Sequence, residues 1–341
     1  MRTTEGIFCV GVDHHATALA EREALVSLAG ERLTPHLIEH NGAEEVVFLS
    51  TCNRVEIYGV SGRRGPEIAE ALGRAMPEKL GEVWRSARGM YLHEGLACWR
   101  HLSEVATGLR SMVMGEAEIL GQVRVAYQGS RELGGTGKAM HGLFQSALRA
   151  ARAARQGAGF GKGDPSVGRC AAEVLADELR GQQVGPLLIL GAGHTARSFG
   201  LAARERGFSR IWISSRTDER AASLATELGG EAVAWDRWGE AARACGVLAS
   251  ALSGGELGWD PIRLGAGPAA LVDLGVPRTL TRVRGSYPQA VWLDLEELAK
   301  RSEVLPESLG SIHRAEEVLR AHERMWVEGG MREKSERGSA G

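Results

Sequence analysis

The sequence is poor in cysteine, and its five cysteines are scattered at positions 9, 52, 98, 170 and 245. No two of them form a Cys-x-x-Cys pair, and their number is odd. A zinc site or a disulfide framework requires cysteines in close or paired spacing. The sequence therefore predicts a protein without a metal site that works in the reducing cytoplasm.

Long apolar runs and a charge bias are also missing. The apolar stretch at 7–12 is followed at once by Asp13, His14 and His15, so it is too short for a signal sequence or a membrane span. The formal net charge is −2, which gives no global field to attract a polyanion. A nucleic acid partner would need a local basic patch.

A basic helical stretch at 138–157 is the candidate for such a patch. Arg149, Arg152 and Arg155 stand three residues apart, and arginine suits phosphate groups because its planar fork donates several hydrogen bonds. A face that is merely solvated explains the same spacing, and we favour that interpretation. A contact with a nucleic acid is the alternative.

The first half of the chain combines short strands with amphipathic helices. The polar stretch 61–90 gives no clear prediction. The apolar residues of 96–133 recur at helical spacing, with an interruption at Gly115 and a second helix starting at Glu116. Strands are predicted at 6–12, 45–49 and 55–58, and further helices at 18–40 and 138–157.

The pattern changes after a boundary rich in glycine and proline at 157–165. From about Val184, short apolar segments alternate with helical ones: LLIL, RIWIS, GVLAS, AALVDLG and AVWLDL. This alternation predicts a parallel α/β sheet. A polar linker after Leu298 leads into a predicted amphipathic helix from about Ser311 to Val327.

The segment LLILGAGHTA places a glycine-rich turn between an apolar strand and a helix. Gly191 permits the tight turn, Gly193 lets the backbone approach a pyrophosphate, and Ala196 lets helix and strand pack closely. The N–H groups of the helix then face the phosphates. The predicted cofactor-binding residues of this turn are Gly191, Ala192, Gly193, His194, Thr195 and Ala196.

The end of the second strand of this domain indicates which dinucleotide is bound. Ser215, Arg216 and Thr217 stand where an NAD site has an acidic residue for the ribose 2′-hydroxyl. An arginine with hydroxyl groups beside it suits a 2′-phosphate. Asp218 is expected to start the next helix. The sequence therefore predicts NADPH as the cofactor.

Several longer motifs resemble those of the glutamyl-tRNA reductase family. They are STCNRVEIY at 50–58, HLSEVATGLRSMVMGEAEILGQV at 101–123, GFGKGDPSVG at 159–168 and GAGHTA at 191–196. The resemblance runs from about residue 6 to about residue 300, in the same order. It implies an α/β protein with an N-terminal α+β catalytic domain at 1–157, a Rossmann-type NADP-binding domain at 158–302, and a short C-terminal helix and tail at 303–341.

The resemblance implies NADPH-dependent reduction of glutamyl-tRNA(Glu) to glutamate 1-semialdehyde, the first step of tetrapyrrole synthesis. Cys52 would attack the aminoacyl ester, because a thiolate is the better nucleophile near neutral pH and a thioester accepts hydride more readily. His101 is implied as a proton-transfer residue, and Arg54 as a fork for the substrate carboxylate. Substrate contacts are implied for Thr51, Asn53, Arg54, Ser111, Glu116, Ala117, Glu118 and Gln122.

The sequence departs from the family pattern in places. Ala117-Glu118 replaces the usual Pro-Gln, and an added carboxylate beside a site for anionic glutamate would weaken binding. His194-Thr195 stands where a Met or a similar residue often appears, and SALSGG at 250–255 replaces a serine-rich turn. The family continues past its nucleotide domain into a helical dimerisation domain, so a homodimer here would need an atypical interface.

Two alternatives are kept. A non-catalytic relative that binds aminoacyl-tRNA, haem or a pathway partner is favoured by Glu118 and the shortened C-terminal region, but it has little need of both a cysteine and a cofactor turn. A dehydrogenase of the shikimate type would share the second domain, but it does not explain TCNR or the helix at 101–123. The reductase is favoured, with a glutamate-1-semialdehyde aminomutase as the partner that the resemblance implies.

Overall fold

The structure is a computed structural model, and it describes residues 6–29, 33–51, 53–116, 118–160, 166–252, 257, 267–301 and 306–338. The chain divides into two compact units. The first unit combines Met1–Asp164 with Val304–Gly341, and the second is Pro165–Glu303. Among the described helices, none combines the length and the apolar character that a membrane span needs.

A four-stranded antiparallel sheet forms the centre of the first unit, in the order β2-β3-β1-β4. In the β1–β3 register, Gly11 lies opposite Glu56 and Asp13 lies opposite Arg54. A Cβ atom on Gly11 would lie 2.6 Å from Cγ of Glu56, so the glycine makes room for that side chain. The strands are β1 (Ile7–Asp13), β2 (Glu45–Ser50), β3 (Arg54–Val60) and β4 (Tyr91–Glu94).

Helices cover both faces of this sheet. Because side chains alternate along a strand, Ile7 and Cys9 enter the core under α5, α6 and α7, while Phe8 and Val10 enter the core under α1 to α4. Burial on both faces explains why β1 is apolar throughout. The helices are α1 (Leu19–Ala29), α2 (Leu33–Glu39), α3 (Pro66–Ala75), α4 (Glu78–Ser86), α5 (Gly95–Thr107), α6 (Ile119–Glu132) and α7 (Lys138–Ala158).

Two of the predicted boundaries are wrong. The stretch 18–40 forms two helices rather than one, and the helix expected from Glu116 starts at Ile119. Helix α5 ends at Gly108, whose left-handed conformation (φ 89°) lets its N–H bond the carbonyls of Glu104 and Val105. The chain therefore leaves the helix there and forms a loop at 108–118. The stretch 61–90, for which the sequence pattern gives no clear prediction, contains the helices α3 and α4 and the turns around them.

A six-stranded parallel sheet forms the centre of the second unit. Its order is β10-β9-β8-β5-β6-β7, so the chain builds outward from β5 in both directions, as in doubly wound dinucleotide-binding folds. All five predicted strands are confirmed, and only the two-residue β7 was not predicted. The strands are β5 (Leu187–Leu190), β6 (Ile211–Ser214), β7 (Glu231–Ala232), β8 (Val247–Ser250), β9 (Ala270–Asp273) and β10 (Val291–Asp294).

The helices of the second unit flank this sheet. The connections between successive strands place α9 after β5 and α10 after β6, which brings the start of each helix to the carboxyl edge of the sheet. The helices are α8 (Val167–Glu178), α9 (His194–Glu205), α10 (Asp218–Leu228), α11 (Trp238–Ala244), α12 (Thr281–Arg284) and α13 (Leu295–Arg301).

The last helix, α14 (Pro306–Gly338), returns to the first unit. It is longer than the helix predicted from about Ser311 to Val327. Of its apolar residues, Ala315, Leu319 and Trp326 are buried in the core formed with α5 and α7, whereas Met325 is exposed. The Trp326 ring stacks on Trp99 of α5 with 6.3 Å between the ring centroids. The buried apolar residues of α14 are therefore covered by α5 and α7 of the same chain.

Replacing Trp326 by alanine should destabilise the protein, because it removes a large side chain from this core. We expect the free energy of unfolding to fall by about 3 kcal/mol, as measured by urea denaturation. The neighbouring Met325 is 63% exposed, so Met325→Ala is the control and should change stability by less than about 0.5 kcal/mol. Equal midpoints for the two variants would show that α14 does not pack on this core.

Candidate active site

A buried ionic cluster lies on strand β3. The alternation of the strand brings Arg54, Glu56 and Tyr58 to one face, and all three side chains are fully buried. Arg54 Nη1 lies 2.8 Å from Glu56 Oε1. The Tyr58 hydroxyl donates a hydrogen bond of 2.6 Å to Glu56 Oε2. The Glu56 carboxylate is thus the centre of the cluster.

Two other elements complete this cluster. From α5, His101 places Nε2 2.8 Å from Glu56 Oε1. From β4, the Tyr91 hydroxyl donates to the same oxygen at 2.5 Å. The His93 ring stacks on His101 with 4.4 Å between centroids. Glu56, Tyr91 and His93 were not predicted as site residues, although VEIY places a carboxylate at an inward position of a strand.

The charge of Glu56 fixes the hydrogen-bond roles of its neighbours. Burial raises the pKa of Glu56, but the charges of Arg54 and His101 and the hydrogen bonds outweigh it and hold the pKa well below the ordinary range. An ionised carboxylate accepts hydrogen bonds only, so His101 Nε2 carries a proton and donates it. The other ring nitrogen, Nδ1, is buried and has no hydrogen-bond partner among the described residues. In neutral His101 that nitrogen is a free acceptor.

The turn before β3 carries the predicted nucleophile. Cys52 lies outside the described residues. Its neighbour Thr51 is buried, and the Thr51 Oγ1 atom accepts hydrogen bonds from the backbone N–H groups of Asn53 (3.1 Å) and Arg54 (3.2 Å). Asn53 Nδ2 and Arg54 Nε are buried without a partner in the described chain. The turn therefore holds polar atoms that remain available to a ligand.

The loop at 108–118 carries the predicted residues Ser111 and Glu116, both buried. Arg155 fixes this loop, because its Nη1 donates to the carbonyls of Thr107 and Glu116, each at 2.9 Å. A second arginine connects the loop to β3, since Arg54 Nη2 donates to the Arg110 carbonyl. Ala117 lies outside the described residues.

Glu116 is the second unusual carboxyl group of the first unit. Burial raises the pKa of Glu116 to about 7, and the charge of Glu118 adds to the effect. A hydrogen bond with Ser111 and the charges of Arg54 and Arg155 oppose it. The interaction with Arg54 indicates that the loop faces the start of β3.

Unsatisfied buried polar atoms recur around these elements. Besides the atoms of Asn53, Arg54 and His101, the described residues include His14 Nδ1 and Gln122 Oε1. The backbone N–H of His14 donates to the Asn53 carbonyl at 2.9 Å, which places His14 beside the same turn. Burial lowers the pKa of His14 to about 4. Since unpaired buried polar atoms are costly, they favour a site for a small polar molecule.

Cys9, Glu56 and His101 place possible metal-ligating atoms within 4.8 Å of one another. Burial and the Glu56 charge raise the pKa of the Cys9 thiol well above its ordinary value, which disfavours the thiolate that a metal needs. Both Glu56 oxygens already accept hydrogen bonds. The arrangement is a hydrogen-bonded ion pair, and it suits a metal ion poorly.

The second unit brings the predicted cofactor turn to the carboxyl end of β5. Gly191 has φ 112°, and a Cβ atom there would lie 2.8 Å from the Ala251 carbonyl oxygen. Gly193 faces open space and precedes the first residue of α9, His194. Ala196 is fully buried. Ala192 and Thr195 are half-buried. The start of α9 suits a phosphate, because the N-terminus of a helix attracts negative charge.

The end of β6 lies beside this turn in the sheet. Ser215 is buried, while Arg216 and Thr217 are exposed. Asp218 starts α10, as predicted. Ser214 Oγ is buried and has no partner among the described residues. The roles of Ser215, Arg216 and Thr217 toward a 2′-phosphate stay predictions.

Asp273, at the carboxyl end of β9, is a further polar centre that sequence analysis missed. Its carboxylate accepts hydrogen bonds from the backbone N–H groups of Gly275, Thr279 and Leu280. Burial raises its pKa to about 6 in spite of these bonds. The Thr279 hydroxyl donates to Ser250 Oγ at 2.6 Å. Asp273 thereby fixes a loop at the edge of the sheet that carries the cofactor turn.

Fold and site together define a class of protein in which a doubly wound dinucleotide-binding unit accompanies a unit with a buried ionic cluster. A family model for the N-terminal domain of glutamyl-tRNAGlu reductase matches residues 10–158, and one for shikimate / quinate 5-dehydrogenase matches residues 171–300. A glutamyl-tRNA reductase of Alkalilimnicola ehrlichii is 33% identical over 337 residues, which cover 92% of this chain and 72% of the relative. The chain belongs to the glutamyl-tRNA reductase family.

Further relatives agree with this assignment. A glutamyl-tRNA reductase of Akkermansia muciniphila is 31% identical over 325 residues, which cover 92% of this chain and 94% of the relative. The structure of the glutamyl-tRNA reductase from Methanopyrus kandleri has a TM-score of 0.53 at 26% identity, with 98% of this chain and 82% of that chain covered. The resemblance to the family is therefore confirmed by sequence and by fold.

Glu56→Gln keeps the shape of the side chain but leaves the Arg54 charge buried without its counter-ion. We expect the free energy of unfolding to fall by about 3 to 5 kcal/mol at pH 7, measured by urea denaturation. Because the folded pKa lies below the unfolded one, the wild-type advantage is complete above pH ~4.3 and is lost as the pH falls further.

The control for this variant is Glu70→Gln, which breaks the exposed Arg74–Glu70 pair. Exposed pairs are screened by water, so the expected loss is less than about 1 kcal/mol. Similar losses in both variants would mean that the Arg54–Glu56 pair is not a buried ion pair.

Glu116→Gln should remove a pH dependence of stability. The folded pKa of Glu116 is about 7, above the unfolded value, so its contribution is complete at low pH and is lost as the pH rises through 7. Between pH ~5 and pH ~8, the wild type should lose about 2 to 3 kcal/mol relative to the variant. Urea denaturation at both pH values measures this difference. Parallel stability curves would contradict the raised pKa.

Proposed function

We propose that this protein is an NADPH-dependent glutamyl-tRNA reductase, which converts glutamyl-tRNA(Glu) to glutamate 1-semialdehyde for tetrapyrrole synthesis. The observation that carries the proposal is the buried cluster of Arg54, Glu56 and His101, because the strand that carries Arg54 and Glu56 begins two residues after the predicted nucleophile, Cys52. A glycine-rich dinucleotide turn on the same chain supports it.

The reaction has two steps. In the first, the Cys52 thiolate attacks the carbonyl carbon of the glutamyl ester, a C–S bond forms, and the ester C–O bond breaks. The tRNA leaves with a 3′-hydroxyl group after it gains a proton. In the second step, a hydride adds to the thioester carbonyl carbon, the C–S bond breaks, and the aldehyde and the Cys52 thiolate are released. NADPH, when bound, supplies the hydride and becomes NADP⁺.

His101 is suited to the proton transfers of this reaction. Its Nε2–H donates to the ionised Glu56, so the other ring nitrogen, Nδ1, is left to accept or return a proton. Glu56 acts as a positioning residue, because it fixes both the tautomer and the orientation of the ring. The buried surroundings exclude water from this pair.

Arg54 is suited to bind a substrate carboxylate. Two of its five N–H groups are used by Glu56 and by the Arg110 carbonyl. Nε remains without a partner in the described chain. Neutral Glu116 nearby would spare an anionic substrate the repulsion of a further charge. Thr51, Asn53, Ser111, Ala117, Glu118 and Gln122 are kept as proposed substrate contacts.

The residues of the second unit fit NADPH. The open space at Gly193 and the start of α9 directly after it suit the pyrophosphate, because the N-terminus of a helix attracts negative charge. Arg216 stands at the end of β6, where no acidic side chain precedes α10, and its charge suits a 2′-phosphate. We also propose a cytoplasmic location, a homodimer with an atypical interface, and an aminomutase that consumes the aldehyde.

A single-turnover assay with tRNA that carries labelled glutamate tests this function. We expect label to stay on the wild-type protein without NADPH and to leave as the semialdehyde when NADPH is added. Cys52→Ser should do neither, because a hydroxyl group is a far weaker nucleophile near neutral pH. Cys170→Ser, which changes a half-buried cysteine elsewhere, is the control and should behave as the wild type.

The non-catalytic alternative makes the opposite prediction. A wild-type protein that binds the charged tRNA but never acquires label would remove Cys52 as the nucleophile and favour a binding or regulatory role. Label that transfers equally to Cys52→Ser would show that another residue performs the attack.

A further inference from the structure

The hairpin of α6 and α7 carries most of its charge in one sign. Residues 119–158 include six basic residues and one acidic residue, Glu132. The whole chain, by contrast, has a formal net charge of −2. Helix α7 has no acidic residue along its 21 residues. The local field above this hairpin is therefore positive although the protein is not.

Most of these basic side chains point to solvent. On α7, Lys138, Arg149 and Arg152 are exposed, and the buried exception is Arg155, which fixes the loop at 108–118. The exposed basic residues of the neighbouring α6 are Arg124 and Arg131. We call the set Arg124, Arg131, Lys138, Arg149 and Arg152 the α6–α7 basic surface.

The two helices lie side by side, since the Tyr127 hydroxyl of α6 is 2.5 Å from His141 Nδ1 of α7. Helix α14 also contacts α7. A Cβ atom on Gly157 would lie 3.2 Å from Val318 Cγ2, and one on Gly142 would lie 3.8 Å from Trp326. Neither neighbouring helix buries Lys138, Arg149 or Arg152, which all remain exposed.

The side chains of this surface have no acidic partner in the part of the chain that the structure describes. None of its five members forms an ion pair with a residue that the structure describes. Surface arginines elsewhere commonly pair with glutamate, as Arg169 does with Glu205 and Arg197 with Glu227. Unpaired positive charge in one place is the pattern expected of a surface that receives its negative charge from a partner.

We propose that the α6–α7 basic surface binds the sugar–phosphate backbone of the tRNA substrate, an inference that rests on the proposed function. From Lys138 to Arg152 the stripe measures about 21 Å along the helix. A stripe of this length can face several successive phosphates of a nucleic acid strand, each of which carries one negative charge. Through Arg155, the same helix also fixes the loop that carries Glu116. Binding of tRNA to α7 is thereby connected to the candidate active site.

Binding of tRNA to Arg149→Gln/Arg152→Gln tests this surface. Fluorescence anisotropy of labelled tRNA, measured between about 50 and 200 mM salt, gives the salt dependence of the affinity. We expect at least about a tenfold loss of affinity at low salt and a salt slope that falls by about 2 in magnitude. Arg237→Gln/Arg243→Gln, which removes the same charge from the second unit, should leave both unchanged.

Two further measurements separate a phosphate contact from other causes of a loss of tRNA affinity. Arg149→Lys/Arg152→Lys keeps the charge, so it should keep the salt slope. The rate of reduction of 3′-glutamyl-adenosine, which lacks the body of the tRNA, should not change in the glutamine variant, whereas KM for glutamyl-tRNA should rise.

An unchanged affinity and salt slope in the glutamine variant would overturn the proposal. Equal losses with glutamyl-tRNA and with 3′-glutamyl-adenosine would also overturn it, because the helix would then act through the loop. Failure of the wild type to reduce either substrate would contradict the proposed function, and the anisotropy slopes would still decide whether this surface binds tRNA.

Discussion

The buried Arg54–Glu56 pair is the interaction on which the arrangement of the first unit depends. A carboxylate in a protein interior is stable only if opposite charge and hydrogen bonds replace its water. Glu56 meets this condition with groups from β3, β4 and α5. One charge therefore fixes three elements relative to one another. It also leaves Nδ1 of His101 as the ring nitrogen without a hydrogen-bond partner among the described residues.

A second constraint acts on the loop at 108–118, which has no regular structure of its own. Arg155 binds its carbonyl oxygens from α7, and Arg54 binds another from β3. The loop is therefore attached to two rigid elements although it is irregular. This attachment explains how Glu116 stays buried with a raised pKa at the end of a helix–loop connection.

Much of the fold could be predicted from the sequence, because the signals were local. The strands of the second unit are short apolar runs, and the turn at Gly191 requires a glycine for a reason that the sequence shows. The end of α5 at Gly108 was missed, since the apolar spacing continues beyond it and only the backbone conformation of that glycine ends the helix.

The candidate site was predicted in part. The resemblance named Arg54 and His101, but not Glu56, because a glutamate in a strand looks like an exposed residue until its partners from distant elements are known. Tyr91 and His93 lie on β4, a four-residue strand too short to show a pattern. Long-range convergence of this kind is not encoded in any one stretch of sequence.

The chain order of the first unit has a consequence for its synthesis. Helix α14 belongs to the core of this unit but follows the whole second unit in the chain. While a ribosome makes the second unit, the stripe of α5 and α7 around Trp99 has no cover and exposes apolar surface. A nascent chain in this state is prone to self-association. During translation, the first unit therefore cannot complete its hydrophobic core until the residues of α14 around Trp326 have left the ribosome.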